Sequence, residues 1–204
     1  MLEAVLHGVI LAFGLILPLG VQNIFVFNQG ALQRRFTGAV PVIVTAALCD
    51  TLLIFAAVGG VSLVVLSVSW VSTVIYTAGF FFLAYMGWQI WTSVPKAEGP
   101  QALPVSRQIG YAISVSLLNP HALLDTVGVI GTSSLKYPVG ERWAFAAAAA
   151  AVSWLWFAGL AGAGRLAGRA DPGGKALRLL NRVSALIVWG LAGWMGIEGL
   201  QRYL

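Results

Sequence analysis

The sequence predicts an all-α membrane protein with six transmembrane helices, arranged as two inverted repeats of three helices each. Of its 204 residues, 59% are hydrophobic and only 9% are charged, and the mean hydropathy is +0.86. A soluble domain carries about 25% charged residues. The apolar residues fall into runs long enough to cross a bilayer, which takes about 20 residues per helix. Two of these runs, in corresponding positions of the two halves, are interrupted by proline.

The apolar runs define six spans separated by short polar connections. The first run lacks the basic start and cleavage site of a secretory signal, so we expect it to be retained as a helix. The fifth run, "AFAAAAAAVSWLWFAGLAGAG", is rich in small residues. Small residues let helices approach closely in lipid, which predicts tight packing of this span. The six spans cover about residues 4–27, 39–66, 70–93, 109–132, 143–164 and 183–203.

Lysine and arginine residues predict the orientation of these spans. The connections after spans two and four, together with both termini, hold only three of the twelve: Lys136, Arg142 and Arg202. Basic residues accumulate in cytoplasmic loops, so both termini are predicted to lie outside the cytoplasm. The other nine follow spans one, three and five: Arg34, Arg35, Lys96, Arg107, Arg165, Arg169, Lys175, Arg178 and Arg182.

The chain forms a single domain, 1–204, that divides into two halves. The first repeat covers about 1–94 and the second about 108–204, joined by a proline-rich linker at about 95–107 with the sequence "SVPKAEGPQALPVSR" from Ser93. Three spans per half is an odd number, so equivalent halves face opposite ways across the bilayer. Paired interrupted helices in an inverted repeat are typical of a transport site.

Proline interrupts the first span in "LILPLGVQN" and the fourth in "SLLNPHALLDT". Pro18 is followed by Gly20, and Pro120 is preceded by Asn119. Proline removes a helical hydrogen bond, and a full break creates a new helix N-terminus whose free N–H groups can bind a carboxylate. The alternative is a simple proline kink, which is common in membrane helices.

Further polar side chains stand beside each break. Gln22 and Asn23 follow the first, and Asn119 and His121 flank the second. Amides at this depth can bind a zwitterionic solute, or they can only hold helices together. The residues themselves leave both readings open.

Two aspartates are the strongest functional signal. Asp50 lies inside the second span and Asp125 inside the fourth. A charged aspartate at the centre of a membrane helix costs about 2.5–3.5 kcal/mol, so such residues mark substrate or ion pathways. If the helix resumes after Pro120, His121 and Asp125 are four residues apart and share a face. Both aspartates are candidates for substrate binding and proton coupling; the alternative is a neutral carboxyl group that locks helices together.

Several other classes of protein are disfavoured. Two histidines and one cysteine are too few for a His/Cys metal cage, so no metal or cofactor is expected. The net charge of +5 is attributed to cytoplasmic loops rather than to a nucleic-acid surface. An intramembrane aspartyl protease would carry a G-x-G-D motif, whereas the aspartates here stand in "LCDT" and "LLDT". A channel or a purely structural bundle remains a further alternative.

The motifs "ILPLGVQNIFVFNQG", "CDTLLIFAAVGG", "LLNPHALLDT" and "SWLWFAGLA" resemble the LysE family of amino-acid exporters, and within it the arginine-exporter branch. The likeness runs nearly the full length of the chain. The branch that exports basic amino acids carries an aspartate where Asp125 stands, whereas exporters of neutral amino acids usually read "NPK" and lack it. Val21 departs from the pattern, because arginine exporters more often have a second proline there.

The resemblance implies secondary active export of L-arginine, L-lysine or analogues such as canavanine by alternating access. The expected location is the inner membrane of a bacterium, with both termini in the periplasm, and a homodimer is one possible assembly. Export of neutral amino acids or other small solutes is the alternative. The expected partners are therefore the basic amino acid and the lipid bilayer, and no nucleic acid is expected. The pathway residues carried over by position are Pro18, Gly20, Gln22, Asn23, Asp50, Asn119, Pro120 and Asp125.

Overall fold

A computed structural model describes residues 1–17, 20–61, 69–92, 103–117, 119–170 and 175–201, and all regular elements in this part of the chain are helical. The predicted all-α fold is therefore confirmed. A 3-10 turn, Phe36–Ala39, leads into the third helix, and π-helical turns at Ala57–Val61 and Asp125–Gly131 continue the third and sixth. The helices are α1 (Leu2–Ile16), α2 (Val21–Leu32), α3 (Val40–Ala56), α4 (Ser69–Thr92), α5 (Val105–Leu117), α6 (Pro120–Leu124), α7 (Val139–Ala170) and α8 (Lys175–Gln201).

Within the described residues, two helical stretches are long and apolar enough to cross a membrane: Phe36–Gly60, with 25 residues, and Val139–Ala170, with 32. Two bent pairs qualify if each pair counts as one span. These are α1 with α2, bent by 80°, and α5 with Ala122–Ser134, bent by 60°. Much of the predicted linker, and parts of the predicted spans around it, lie outside the described residues.

The helix interruptions predicted in the first and fourth runs are present. α1 ends at Ile16 and α2 begins at Val21, after Gly20 in an extended conformation. α5 ends at Leu117, and α6 begins with Pro120. Proline suits the first position of a helix because its missing N–H would have no partner there. Pro18 itself lies outside the described residues.

The bent pair α1–α2 follows α7 in one direction along its length. Near the start of both, Gly8 packs against Phe145; near the end of both, Ala31 packs against Gly168. The advance from residue 145 to residue 168 corresponds to about 35 Å of helix, comparable with the hydrocarbon thickness of a bilayer. The pair therefore runs alongside α7 without turning back.

The second bent pair follows α3 in the same way. At the start, the amide of Gln108 donates to the carbonyl oxygen of Gly38 over 3.0 Å. Farther along, the side chains of Cys49 and Ser116 meet. At the end, the π-helical turn Asp125–Gly131 packs on the corresponding turn of α3. Each bent pair thus lies against an unbroken helix from the other half of the chain.

α4 and α8 run antiparallel and pack mainly against each other. The indole N–H of Trp189 donates to the carbonyl oxygen of Ala84 over 3.1 Å. Toward one end, the Arg182 guanidinium lies over the Trp91 ring at 5.8 Å, and toward the other, Gly196 contacts Phe80. This pair carries much of one apolar cluster, which includes Leu83, Met86 and Val188.

Glycine allows α2 and α7 to touch backbone to backbone. A Cβ atom added to Gly30 would collide with the carbonyl oxygen of Ala161, and one added to Gly164 would collide with that of Phe27. Phe145, Phe157, Ala146, Ala149 and Ala161 on the same helix are fully or nearly fully buried. The tight packing predicted for the fifth span is confirmed.

Polar contacts join the two halves at each end of the α1–α2/α7 assembly. At one end, which we call the His7 cluster, His7 Nδ1 lies 2.9 Å from the Tyr137 hydroxyl, and the amino group of Met1 lies 2.9 Å from Glu141. The other end, the Gln108 cluster, is built from five residues. Gln33 and Gln108 donate to the carbonyl oxygen of Leu103, and Arg165 donates to that of Arg34 over 3.1 Å.

Replacing Gly164 by alanine should destabilise the protein, because the new methyl group meets the backbone of Phe27. Overpacking of this kind costs about 1–3 kcal/mol. Gly162 is the matched control, since a Cβ there meets nothing within 4 Å. We expect Gly164→Ala to lower the temperature at which the detergent-solubilised protein loses its monodisperse peak, and Gly162→Ala to leave it unchanged or higher. Equal behaviour of the two variants would contradict the backbone contact.

Candidate functional site

A cavity of about 120 Å³ lies between the two helix breaks. Its wall includes residues at the starts of α2 and α6, in the middle of α3 and α7, at the end of α1, and on α4 and α8. Ser153 lies about halfway along α7, and Asp50 about halfway along Phe36–Gly60, so the cavity is near mid-depth of both candidate spans. Six of the nine predicted site residues line it: Gly20, Gln22, Asn23, Asp50, Asn119 and Asp125.

The other three predicted site residues are not placed in the cavity. Pro18 lies outside the described residues, and so do the side chains of Pro120 and His121. The backbone of Pro120 and His121 forms the first turn of α6, directly beside Asn119.

Both helices that begin at the cavity present their N-termini to it. In α2 the first intrahelical bond runs from the Ile24 N–H to Gly20, over 3.1 Å. In α6 the first runs from the Leu123 N–H to Asn119, also over 3.1 Å. The N–H groups before these have no partner within their own helix, and a helix N-terminus carries a partial positive charge. Such a pair of N-termini suits a carboxylate.

Asp50 is held by neutral hydrogen-bond donors. The amide of Gln22 donates to Asp50 Oδ1 over 3.0 Å, and the hydroxyl of Ser153 also bonds to the carboxyl group. These donors come from α2 and α7, so the carboxyl group on α3 links three helices. Neutral donors orient Asp50 without neutralising it, which leaves it able to attract a cation.

Asn23 closes the first helix break. Its amide Nδ2 donates to the carbonyl oxygen of Ile16 over 2.8 Å, and its Oδ1 accepts from the Trp156 indole over 3.2 Å. Ile16 is the last residue of α1, so its carbonyl is one of those that the break frees. Of the two interpretations of this amide, the geometry favours a role in holding the helices over direct contact with a solute.

Asp125 begins the π-helical turn that follows α6. Its side chain is partly buried on the cavity wall, next to Thr126. π-Helical turns inside α-helices are rare and are frequently found at functional sites. The turn lies one residue after Leu124, which packs against the apolar cluster around Leu83.

Sequence reasoning missed Ser153, which binds Asp50 from α7. The signal was present, because Ser153 is a polar residue inside the run "AAAAAAVSWLW". Serine is common in membrane helices, so the residue type alone did not distinguish it. Only the register of α7 against α3 places the Ser153 hydroxyl beside the Asp50 carboxyl group.

An all-helical chain with apolar candidate spans, two interrupted helices and a polar cavity between the breaks has the architecture of a membrane transport protein. The acids and amides stand at mid-depth, where a solute in transit would be bound. This describes a class of protein and leaves the solute open.

The chain matches the family model for LysE type translocators over residues 13–199. It is 50% identical to "Putative amino-acid transporter YisU" of Bacillus subtilis, over 97% of this chain and 90% of that protein. It is 33% and 31% identical to the arginine exporter ArgO of Enterobacter sp. and of Escherichia coli K12, over 93% or more of each chain. No solved structure matches it. The chain belongs to the LysE family; it is a translocator and not an enzyme.

The hydrogen bond across the first break yields a stability prediction. Asn23→Leu keeps the size of the side chain but leaves the Ile16 carbonyl without its donor, which costs about 1–3 kcal/mol. Trp156→Phe removes the donor to Asn23 Oδ1 and part of the ring but keeps the bond from Asn23 to Ile16, so we expect a smaller loss. Thermal unfolding in detergent measures both. An Asn23→Leu variant as stable as wild type would mean that the break is held by other contacts.

Proposed function

We propose that this protein exports basic amino acids, L-arginine or L-lysine and analogues such as canavanine, across the inner membrane of a bacterium. The observation that carries the proposal is the joint position of Asp50 and Asp125 on one cavity at mid-depth, beside two helix N-termini. Helix N-termini attract the carboxylate of an amino acid, and a buried acid attracts a cationic side chain. The site therefore matches a solute with a negative group at one end and a positive group at the other.

The similarity to the two arginine exporters supports this assignment. Each is at least 31% identical to this chain, over almost the whole length of both proteins. The matched region therefore includes both broken helices and the segments that contain Asp50 and Asp125. Asp125 in "NPHALLDT" stands where the resemblance to the exporters of basic amino acids implies an aspartate.

The mechanism that we propose divides the work between the two acids. The carboxylate of the amino acid binds at the starts of α2 and α6, and one aspartate binds the side-chain cation. The other aspartate takes up a proton, as acids in transporters commonly do, and this couples release of the cation to the proton gradient or membrane potential. Asp50, oriented by Gln22 and Ser153, is the better placed to keep a fixed position during this exchange.

The pairing of helices supports six spans in two inverted repeats, about 1–94 and 108–204. In the two repeats, α1–α2 corresponds to α5–α6, α3 to α7, and α4 to α8. The contact of α1–α2 with α7 therefore has its equivalent in the contact of α5–α6 with α3, and the contact between α4 and α8 is its own equivalent. The parallel and antiparallel directions within these pairs fit six spans of alternating direction. An inverted repeat of this kind supports alternating access by rocking of one half against the other.

The clusters at the two ends are candidates for the contacts that change during rocking. His7 and Gln108 each lie nine residues before the last residue of their helix, Ile16 or Leu117, so they occupy equivalent positions in the two repeats. Each bonds to a connection beyond the opposite broken helix, at Tyr137 or Gly38. Opening one end would break one cluster while the other stays closed.

A second copy of the chain is not required for this mechanism. The cavity is built within one chain, and glycine faces that could join two copies, such as Gly30 and Gly164, pack within the monomer. A homodimer would therefore join complete units rather than complete the site. Export of neutral amino acids is the remaining alternative, and it would leave the two acids without a cationic ligand.

Replacing either acid by its amide tests the assignment of substrate. We expect Asp50→Asn and Asp125→Asn each to lose at least about 90% of arginine counterflow in proteoliposomes, because the amide does not supply the charge that the cation needs. Both variants should still fold, which size-exclusion chromatography checks. Glu3→Gln is the control, since it removes an exposed acid far from the cavity and should transport normally. Normal arginine counterflow in both aspartate variants would end the proposed role of these acids.

Cysteine labelling tests the proposed orientation. The chain has one native cysteine, Cys49, which is buried and should label little. Lys136→Cys should react with a membrane-impermeant maleimide in intact cells, because we place its connection in the periplasm with both termini. Arg35→Cys should react only after the membrane is permeabilised. Both positions are exposed, so reversal of this pattern would reverse the orientation.

A further inference from the structure

Asn119 differs from the other polar residues of the cavity because its buried side-chain oxygen accepts no hydrogen bond within the described residues. Its side chain is 8% exposed and lines the cavity, and its Oδ1 has no donor among the described residues. In that same part of the chain, buried side-chain atoms of Asn28, Gln108, Ser116 and Ser184 share this property, but none of these residues lines the cavity. At Asn119 alone in this group, an unmet acceptor coincides with the candidate site.

We infer that Asn119 Oδ1 accepts a hydrogen bond from the α-ammonium group of the transported amino acid. Asn119 thereby makes the site selective for solutes with an amine and a carboxylate on the same carbon. The inference rests on the proposed transport of amino acids, but not on a preference for basic ones.

The position of Asn119 before α6 leads to this ligand. An asparagine that precedes a helix normally accepts from an N–H group of the first turn, but here Oδ1 is unbonded within the described residues. A buried acceptor without a partner is unfavourable, so a donor that enters the cavity is stabilised there. The oxygen is therefore available to a ligand rather than to the helix.

The chemistry of an amino acid fits the two neighbouring groups. If the carboxylate binds the first N–H groups of α6, the ammonium nitrogen, two bonds from the carboxylate carbon, comes close to Asn119, which directly precedes α6. A neutral acceptor is sufficient there, because the carboxylate already balances the charge of the ammonium. The two aspartates then remain for the coupling proton and for a cationic side chain, which carries no such internal counter-charge.

The test compares amino acids with analogues that lack the α-amine. The pairs are L-arginine with 5-guanidinopentanoate, L-lysine with 6-aminohexanoate, and L-leucine with 4-methylpentanoate. Dissociation constants are measured by isothermal titration calorimetry on the purified, full-length protein. We expect wild type to prefer the amino acid in each pair that binds by about tenfold or more, since a site built to bond a group rejects the analogue without it.

Asn119→Leu keeps the approximate size of the side chain and removes the acceptor, so it should bring the ratio within each pair close to one. Asn119→Ala, which also removes the acceptor, provides the same test if the leucine variant does not fold. Asn28→Leu is the matched control, because Asn28 Oδ1 also lacks a donor in the described part of the chain but lies away from the cavity. It should leave the ratio at its wild-type value.

The outcomes separate this inference from the proposed function. If only leucine binds, and Asn119→Leu abolishes the discrimination against 4-methylpentanoate, the inference stands and the basic preference fails. If arginine binds and both Asn119 variants keep the wild-type ratio, the inference is overturned and the export proposal stands. If wild type binds no amino acid, both fail.

Discussion

The structure depends on how it treats the backbone groups that two interrupted helices set free. In hydrocarbon an unpaired carbonyl or N–H group costs several kcal/mol, so each needs a partner in the protein or in a wet cavity. At the first break the two kinds of group are treated differently. The Ile16 carbonyl is bonded by the Asn23 amide, whereas the N–H groups at the start of α2 face the cavity. The carbonyl side of the break is therefore bonded within the protein, whereas the N–H side faces the cavity.

Each broken helix is supported by a helix of the other half of the chain. A break weakens a helix, and each broken helix here lies along an unbroken helix that belongs to the other repeat. Contact is close because glycines such as Gly8 and Gly30 remove the side chains that would separate the backbones. Any movement of one repeat against the other therefore changes the surroundings of a break. Access to the cavity and the geometry of its walls are coupled by the same packing.

The sequence predicted what depends on local chemistry. Composition and apolar runs predict an all-helical membrane protein, and the proline motifs predict both interruptions, because proline acts on its own turn of helix. Five of the six predicted site residues on the cavity have polar side chains, and a polar side chain in an apolar run has to avoid lipid. The predicted number of six spans stays a prediction, since several predicted spans extend beyond the described residues.

What the sequence does not predict depends on the register between distant segments. From the sequence, Asn23 is a candidate ligand of the substrate, but in the structure its side-chain amide is hydrogen-bonded to Ile16 and Trp156. From the sequence, Ser153 is an ordinary serine of a membrane helix, and only the structure places it beside Asp50 of another helix. The pairing of α1–α2 with α7 rests on glycine contacts between residues more than 100 positions apart in the chain, which no local pattern encodes.

The residues that precede the two broken helices explain why their N-termini can serve a ligand. Gly20 has no side chain with which to cap α2, and a Cβ added there meets nothing within 4 Å, so space is not the reason for glycine. Asn119 has a suitable side chain but does not use its oxygen to cap α6. An aspartate at either position would place a fixed carboxylate on the helix N-terminus, where it would compete with the carboxylate of an amino acid. In the proposed mechanism, two uncharged residues at these positions keep both helix starts open to the carboxylate, while Asp50 and Asp125 serve the cationic end of the solute and the coupling proton.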